Sequence, residues 1–314
     1  MSAALARLGA ALGGVDFVQG AGGNASEKVG DTLHVKASGV RMRGMERAGA
    51  VATAPLALVQ RALDGDADAD GALMRLTPRP SLEVLMHGLG PRVVAHTHPV
   101  GVLLVACARA AAAPSLGAVP VRTVPYARPG AELAAAVRVA LEGVRGAAVL
   151  LLRAHGMIAF SDDVEEAIAL TVAFDRACRD GFDAVPSLDA VATEAPRAIA
   201  GGYCLTLPEG PHPRGGALFP DAAVFCPRLD VTRADEAAAT EALRIAPRPV
   251  VLGDGVRRVI AAPTEEGAVF AREVLAAHDA VTAALGARAS WLDPQEMAAI
   301  ARMPAELYRL GLSG

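Results

Sequence analysis

The chain has 314 residues, 53% of them hydrophobic, with a formal net charge of −4. That length suits one large domain or two ordinary ones, and the positive mean hydropathy of +0.34 comes mainly from alanine, with no uninterrupted apolar run of about 20 residues to span a bilayer. A negative net charge without a basic stripe argues against a nucleic-acid partner.

Residues 1–14 read as a short amphipathic helix, without the basic start and long apolar core of a cleaved signal. "FVQGAGGNASEK" is a glycine-rich loop, and "EKVGDTLHVKASG" a hairpin turning at Gly30-Asp31. Residues 45–64 hold a strand or a helix. "DGDADADG" at 64–71 is acidic and out of register for a calcium loop, and is expected to be a solvated linker. In "TPRPSLEVLMHGLGP", Pro80 and Ser81 open a helix with Ser81 as its N-cap. "RVVAHTHP" follows as a strand, "AELAAAVRVALEGV" as a helix, "GAAVLLLRAHG" as a strand and "DDVEEAIALTVAFDRACRDGF" as a long helix opened by acidic residues. The alternation predicts an α/β or α+β core with helices on both faces of a sheet.

From about 186 to 220 the chain is rich in Pro and Gly and reads as a connector. Beyond it, "DAAVFCP" is a strand, "TRADEAAATEALRI" a helix, and "PVVLGDGVRRVIAAP" a hairpin turning at Asp254-Gly255, with helices at 264–286 and 294–310. The expected organisation is a domain over 1–190, a connector over 191–220 and a small α/β domain over 221–314. Cys107, Cys178, Cys204 and Cys226 form no CxxC pair and read as free thiols, in keeping with a cytoplasmic protein.

Chemistry concentrates in the first half. His96 and His98 lie two apart on a strand, so their rings share one face. They either grip a metal or sit by chance in a half-buried strand. His155 ends an apolar strand before Gly156, and strand ends converge, so three imidazoles can meet with an open position left for a Lewis-acid role. Glu83, in the first turn of the preceding helix, suits acid/base work or simply complements the helix dipole. His87, four residues on, is more often a satisfied helical histidine than a ligand. His212 and His278 read as surface residues. Of the 30 basic residues only Lys28 and Lys36 are lysines, both near the glycine loop, and lysine offers a compact or titratable charge that arginine does not. With Asn24, Ser26, Ser38 and Ser81 they suggest a phosphate or carboxylate pocket.

The segments "GGNAS", "ASG", "PSLEVLMH", "HTHP" and "HG" before an acidic helix, in this order over about 15–185, resemble the class II aldolase/adducin family. Within it, "QGAGGNAS", "LHVKASG" and "LDPQEM…ELYRLG" are most similar to the aldolase part of bifunctional rhamnulose-phosphate aldolase/dehydrogenases; no dehydrogenase fingerprint is visible. The resemblance implies a three-layer α/β/α sandwich around a mixed, mostly antiparallel sheet. It implies that His96, His98 and His155 bind a divalent metal, zinc first, that Glu83 is the acid/base residue, and that Asn24, Ser38, Gly39 and Ser81 contact a substrate phosphate. Ala21 and Leu82 stand where relatives carry hydroxyls, and Lys28 or Lys36 would compensate. Tyr308 is the candidate for a C-terminal catalytic tyrosine. A homo-oligomer, a tetramer in many relatives, is also implied. The expected reaction is retro-aldol cleavage of a ketose 1-phosphate. Epimerases, a dehydratase and decarboxylases share the scaffold, a Schiff-base aldolase would use Lys28 or Lys36, and a non-catalytic adducin-like module would have no need of the three histidines.

Overall fold

Strand β1 (Asn24–Val29) turns through Gly30-Asp31 into β2 (Thr32–Lys36), and the hairpin continues into β3 (Val51–Pro55). This is a computed structural model that describes residues 2–182, 185, 187–188, 194–211 and 216–311. Ahead of β1 lies α1 (Ala3–Leu12), capped by Ser2, whose Oγ accepts from the Leu5 N–H at 3.2 Å. Its Leu5, Leu8 and Leu12 are buried at helical spacing. Then come α2 (Leu56–Leu63), α3 (Ala67–Met74), α4 (Val84–His87), β4 (Val93–Thr97), α5 (Val100–Ala106), β5 (Val121–Val124), α6 (Ala131–Ala140), β6 (Ala148–Leu152), β7 (Gly156–Ser161) and α7 (Val164–Arg179).

These strands form one sheet in the order β3-β2-β1-β4-β7-β6-β5. Every neighbouring pair is antiparallel except β5–β6, so the sheet is mixed and mostly antiparallel. Alternation along the strands fills both faces. Leu33, Val35, Val94, Leu150, Ile158 and Phe160 pack against apolar residues of α2, α3, α4 and α6. Ala25, Val93 and Ala95 pack with the leucines of α1, and Val149, Leu151, Met157 and Ala159 with Val102 of α5 and Phe174 of α7. The result is a three-layer α/β/α sandwich.

The chain divides into two units, Met1–Ala106 with Ala110–Asp183, and Cys107–Arg109 with Ala184–Gly314. The second contains β8 (Arg197–Ile199), β9 (Gly202–Pro208), α8 (Pro220–Phe225), β10 (Arg228–Asp230), α9 (Glu236–Ile245), β11 (Val250–Gly253), β12 (Arg257–Ala262), α10 (Glu265–Leu285), α11 (Pro294–Ile300) and α12 (Pro304–Arg309). Its sheet runs β10-β11-β12-β9-β8, with only the β10–β11 pair parallel. Cys204, Val250, Leu252, Val259 and Ala261 pack against Ala239 and Leu243 of α9. None of the described helices is long and apolar enough to cross a membrane, and all four cysteines are free and buried.

Several elements differ from the sequence reading. The acidic stretch at 64–71 is largely helix, because the Asp66 carboxylate accepts from the Ala69 N–H at 3.0 Å and Asp68 and Asp70 complement the dipole. Ser81 is not an N-cap, since α4 is a single turn that begins at Val84. "DAAVFCP" is helix α8 rather than a strand. Pro220 pre-sets its first turn, and a short apolar run does not by itself distinguish helix from strand. The stretch read as a connector carries β8 and β9, which pair through a tight turn at Gly201. The 190/191 boundary and His212 lie outside the described residues. His278 is fully buried, with its Nε2 accepting from the Leu218 N–H at 3.2 Å, not a surface residue.

Candidate active site

In the first unit, β4 is paired on one side with β1 and on the other with β7. His96 lies opposite Asn24 and Ile158 in this register. His98 follows the end of β4, and its position is set by backbone contacts: its N–H donates to the Phe17 carbonyl at 2.9 Å. The buried Gln19 donates to the Val15 carbonyl at 2.6 Å and the His98 carbonyl at 3.4 Å. His155 sits in the turn between β6 and β7. Two glycines allow the approach. Gly156 passes so close to β4 that a Cβ there would lie 2.5 Å from the Thr97 carbonyl oxygen and 2.7 Å from His98 Cδ2. Gly23 has φ +55°, and a Cβ would meet the His96 carbonyl oxygen at 2.9 Å.

The three imidazoles are buried and meet edge to edge, with ring centroids 4.8, 5.0 and 5.2 Å apart. Each offers a ring nitrogen within 4.8 Å of the others. His96 Nδ1 lies 2.9 Å from the Met157 carbonyl, which fixes the proton there and turns Nε2 inward as a lone pair. Burial, opposed by Glu83, pushes His96 down to about 3, so it stays neutral and able to ligate.

Glu83 joins this cluster from the residue before α4. Its Oε1 is 3.2 Å from His155 Nε2 and its Oε2 is 3.4 Å from His96 Nε2. Burial pushes the carboxyl up, but His96, His155 and His98 outweigh it and hold Glu83 well below the usual carboxylate range. Asn24 Nδ2 donates to Glu83 Oε2 at 2.8 Å and to Ser81 Oγ at 3.1 Å. His87 is a satisfied buried histidine, with Nδ1 2.7 Å from Ser26 Oγ and Nε2 hydrogen-bonded to Asn24 Oδ1.

The remaining expected contacts fall around this network. An antiparallel bridge joins Ala37 and Pro80, the Ser38 N–H donates to the Arg79 carbonyl at 2.9 Å, and the Ser81 N–H to the Lys36 carbonyl at 3.3 Å. This sets the Ser38-Gly39 turn beside the segment carrying Ser81. Lys36 is fully buried, and its ammonium donates to the Ala21 and Val40 carbonyls at 3.1 and 2.6 Å, linking the glycine loop to that turn. Lys28 donates to the carbonyls of Leu89, Gly90 and Pro91, and burial, opposed by Asp162, lowers it to about 8. The ammonium of Lys28 is therefore held by the chain after α4 and is not brought to the histidines. Tyr308 lies on α12 of the second unit, 38% exposed.

Residues 3–180 match the family described as the class II aldolase and adducin N-terminal domain. The chain belongs to that family. Its His96, His98 and His155 form a group that could hold a metal ion. Among solved structures it is similar to the N-terminal class II aldolase domain of a conserved protein from Thermoplasma acidophilum: 22% identity, 56% of this chain and 91% of that one, TM-score 0.47. It is also similar to L-fuculose-1-phosphate aldolase from Thermus thermophilus, at 22% identity, 55% of this chain and 92% of that one, TM-score 0.38. The L-fuculose 1-phosphate aldolase from Glaciozyma antarctica matches at 10% identity over 91% of this chain and 90% of that one, TM-score 0.41. No curated protein sequence matches the chain.

Class II aldolases use a divalent metal, and the donor set fits one. A tetrahedral centre with metal–nitrogen distances of about 2.0–2.1 Å separates its ligand nitrogens by about 3.3 Å. His96 Nε2 and His98 Nε2 face one another at 3.0 Å. Among the described residues, the buried Glu83 Oε1 and His155 Nδ1 have no hydrogen-bond partner. Three imidazole nitrogens with a carboxylate alongside suit zinc and its neighbours better than magnesium or calcium, which prefer all-oxygen shells. His87 is the satisfied histidine the sequence suggested, but sequence reasoning missed its partners Asn24 and Ser26, and it missed Gln19. The Asn24-x-Ser26 and Glu83-x-x-x-His87 spacings, one strand face and one helix face, were the signal for His87. Nothing in the sequence marked Gln19.

Proposed function

We propose that this chain is a zinc-dependent lyase that cleaves a ketose 1-phosphate by retro-aldol reaction to dihydroxyacetone phosphate and an aldehyde. The observation that carries the reading is the buried convergence of His96, His98 and His155 on the ionised Glu83. His96, His98 and His155 would hold the ion. A divalent ion there supplies a Lewis acid for a substrate carbonyl or hydroxyl oxygen. Glu83 moves the proton. As the C–C bond breaks, the hydroxyl oxygen gives up its proton and its carbon becomes the aldehyde carbon, while the bonding electron pair stays on the ketose fragment's carbon, which takes up a proton. Glu83 Oε1, unpartnered by hydrogen bonds and beside His155, is the oxygen placed for that exchange.

The phosphate is assigned to Ser38, Gly39 and Ser81. Ser81 Oγ already accepts from Asn24 Nδ2 and from the Glu83 N–H at 3.3 Å, which leaves its own proton available to donate. Lys36 supports this pocket from behind by fixing the two loops that form it. Both lysine amines are spent on backbone carbonyls, which favours the metal route over a Schiff base. No adduct should be trapped by borohydride.

The test is product analysis. Zinc-loaded protein given a panel of ketose 1-phosphates should release dihydroxyacetone phosphate and an aldehyde in equal amounts from at least one of them. Conversion to an epimer, a dehydrated sugar or carbon dioxide without dihydroxyacetone phosphate would overturn the lyase reading in favour of another reaction on the same scaffold.

A further inference from the structure

Glu83 and three buried side chains behind it form a hydrogen-bonded series whose direction is fixed. Asn24 and Ser26 are two apart on β1, so both side chains leave the same face of the strand. Glu83 and His87 are four apart across α4, so they stack on one side of that turn. The two pairs meet: Glu83 with Asn24, Asn24 with His87, His87 with Ser26. All four are less than 8% exposed.

The directions follow one from another. Asn24 Nδ2 lies 2.8 Å from Glu83 Oε2 and 3.1 Å from Ser81 Oγ, so the amide presents its NH2 to Glu83. Asn24 Oδ1 therefore faces His87 and must receive a proton from Nε2. Burial first, with Lys28 and Lys36 adding to it against Glu83, pushes His87 down to about 3, so the ring carries a single proton. With that proton on Nε2, Nδ1 is an acceptor and takes the Ser26 hydroxyl proton. Both Asn24 donors and its acceptor are then in use, the second donor on Ser81.

We propose that His87, locked by Ser26, is a positioning residue for proton transfer: it braces the Asn24 amide from its carbonyl side, and the amide in turn holds Glu83 Oε2 and leaves Oε1 to exchange the proton. This rests on the reading of Glu83 as the proton carrier. It adds His87 and Ser26 to the working residues and gives Asn24 a role on the carboxylate. Without the His87 donor, Asn24 Oδ1 loses its partner, and the amide, held on its NH2 side alone, positions Glu83 Oε2 less firmly.

The experiment uses the full-length, zinc-loaded chain, with dihydroxyacetone phosphate as probe. Exchange of its C3 proton with solvent deuterium, followed by NMR, reports the proton transfer alone. His87→Phe keeps the ring volume and removes the donor; His87→Gln restores a donor towards Asn24. The expected result for His87→Phe is an exchange kcat lower by roughly 10- to 100-fold, with KM and zinc content unchanged and with most of the rate recovered in His87→Gln. Equal rates in wild type and His87→Phe, or equal losses in the Phe and Gln variants, would overturn the proposal. Nitrogen-15 NMR of the wild-type chain gives a second readout that needs neither activity nor a variant that folds. His87 should be the neutral Nε2–H tautomer between about pH 5 and 8. An Nδ1–H tautomer would overturn the proposal. If wild type leaves dihydroxyacetone phosphate unexchanged, the ketose-phosphate reading has failed, and the tautomer decides the positioning role by itself.

Discussion

His87 is neutral in the folded chain down to about pH 3, with burial the main cause, whereas an unfolded histidine takes up its proton near 6.5. Its folded value is depressed, so the unfolded state binds more protons between those limits. The contribution to stability is complete above about pH 6.5 and falls as pH drops, by up to about 1.4 kcal/mol per pH unit. The slope of unfolding free energy against pH, measured by urea titration between pH 4 and 6, should be shallower in His87→Gln by about that amount. Identical slopes would mean that His87 is not buried in neutral form. At this scale the candidate histidines and Glu83, which the fold brings together, were legible, because HxH at strand spacing and a carboxylate at a helix start are local patterns. The pairing of His87 with Ser26 and Asn24 was not, because it depends on which strand the helix turn packs against. The two lysines stood out in composition, yet their amines bind backbone carbonyls, and a carbonyl partner leaves no mark in a sequence.

At the scale of elements, the site exists because β4 and the β6–β7 turn come unusually close at Gly156. Gly156→Ala should push the end of β4 and the His98 ring aside. Zinc affinity, measured by competition with a chelator, should fall by roughly 10- to 100-fold while the circular dichroism spectrum stays native. Unchanged affinity would show that the approach is not needed. In the second unit, Arg309 of α12 pairs with Asp221 of α8 at 2.5 Å and with Glu306 at 2.9 Å, and lies 5.0 Å over the Phe225 ring. Both carboxylates are buried, so Arg309→Ala removes a cation that pairs with each and should cost about 3–5 kcal/mol in chemical denaturation; a loss below about 1 kcal/mol would contradict that. Elements with a period or a cap were readable, as in the Gly30-Asp31 hairpin and α7 with its Asp163 cap. Helices α3 and α8 were not, since an acidic run and a six-residue apolar run fit more than one conformation until their caps and packing are known.

For the whole molecule, the order of motifs along the first 180 residues was enough to name the family, and the three-layer sandwich follows from it. The second unit was less legible, because its sheet begins within a Pro- and Gly-rich stretch whose strands are short and whose partners β12 and β11 come some 50 residues later. The central claim is that His96, His98 and His155 together hold one divalent ion. Elemental analysis of the purified chain beside His96→Ala tests it most directly. The account predicts close to one zinc per chain, lost in the variant while the fold persists. Native protein that stays free of metal after zinc reconstitution, or a variant that keeps its full complement, would contradict it.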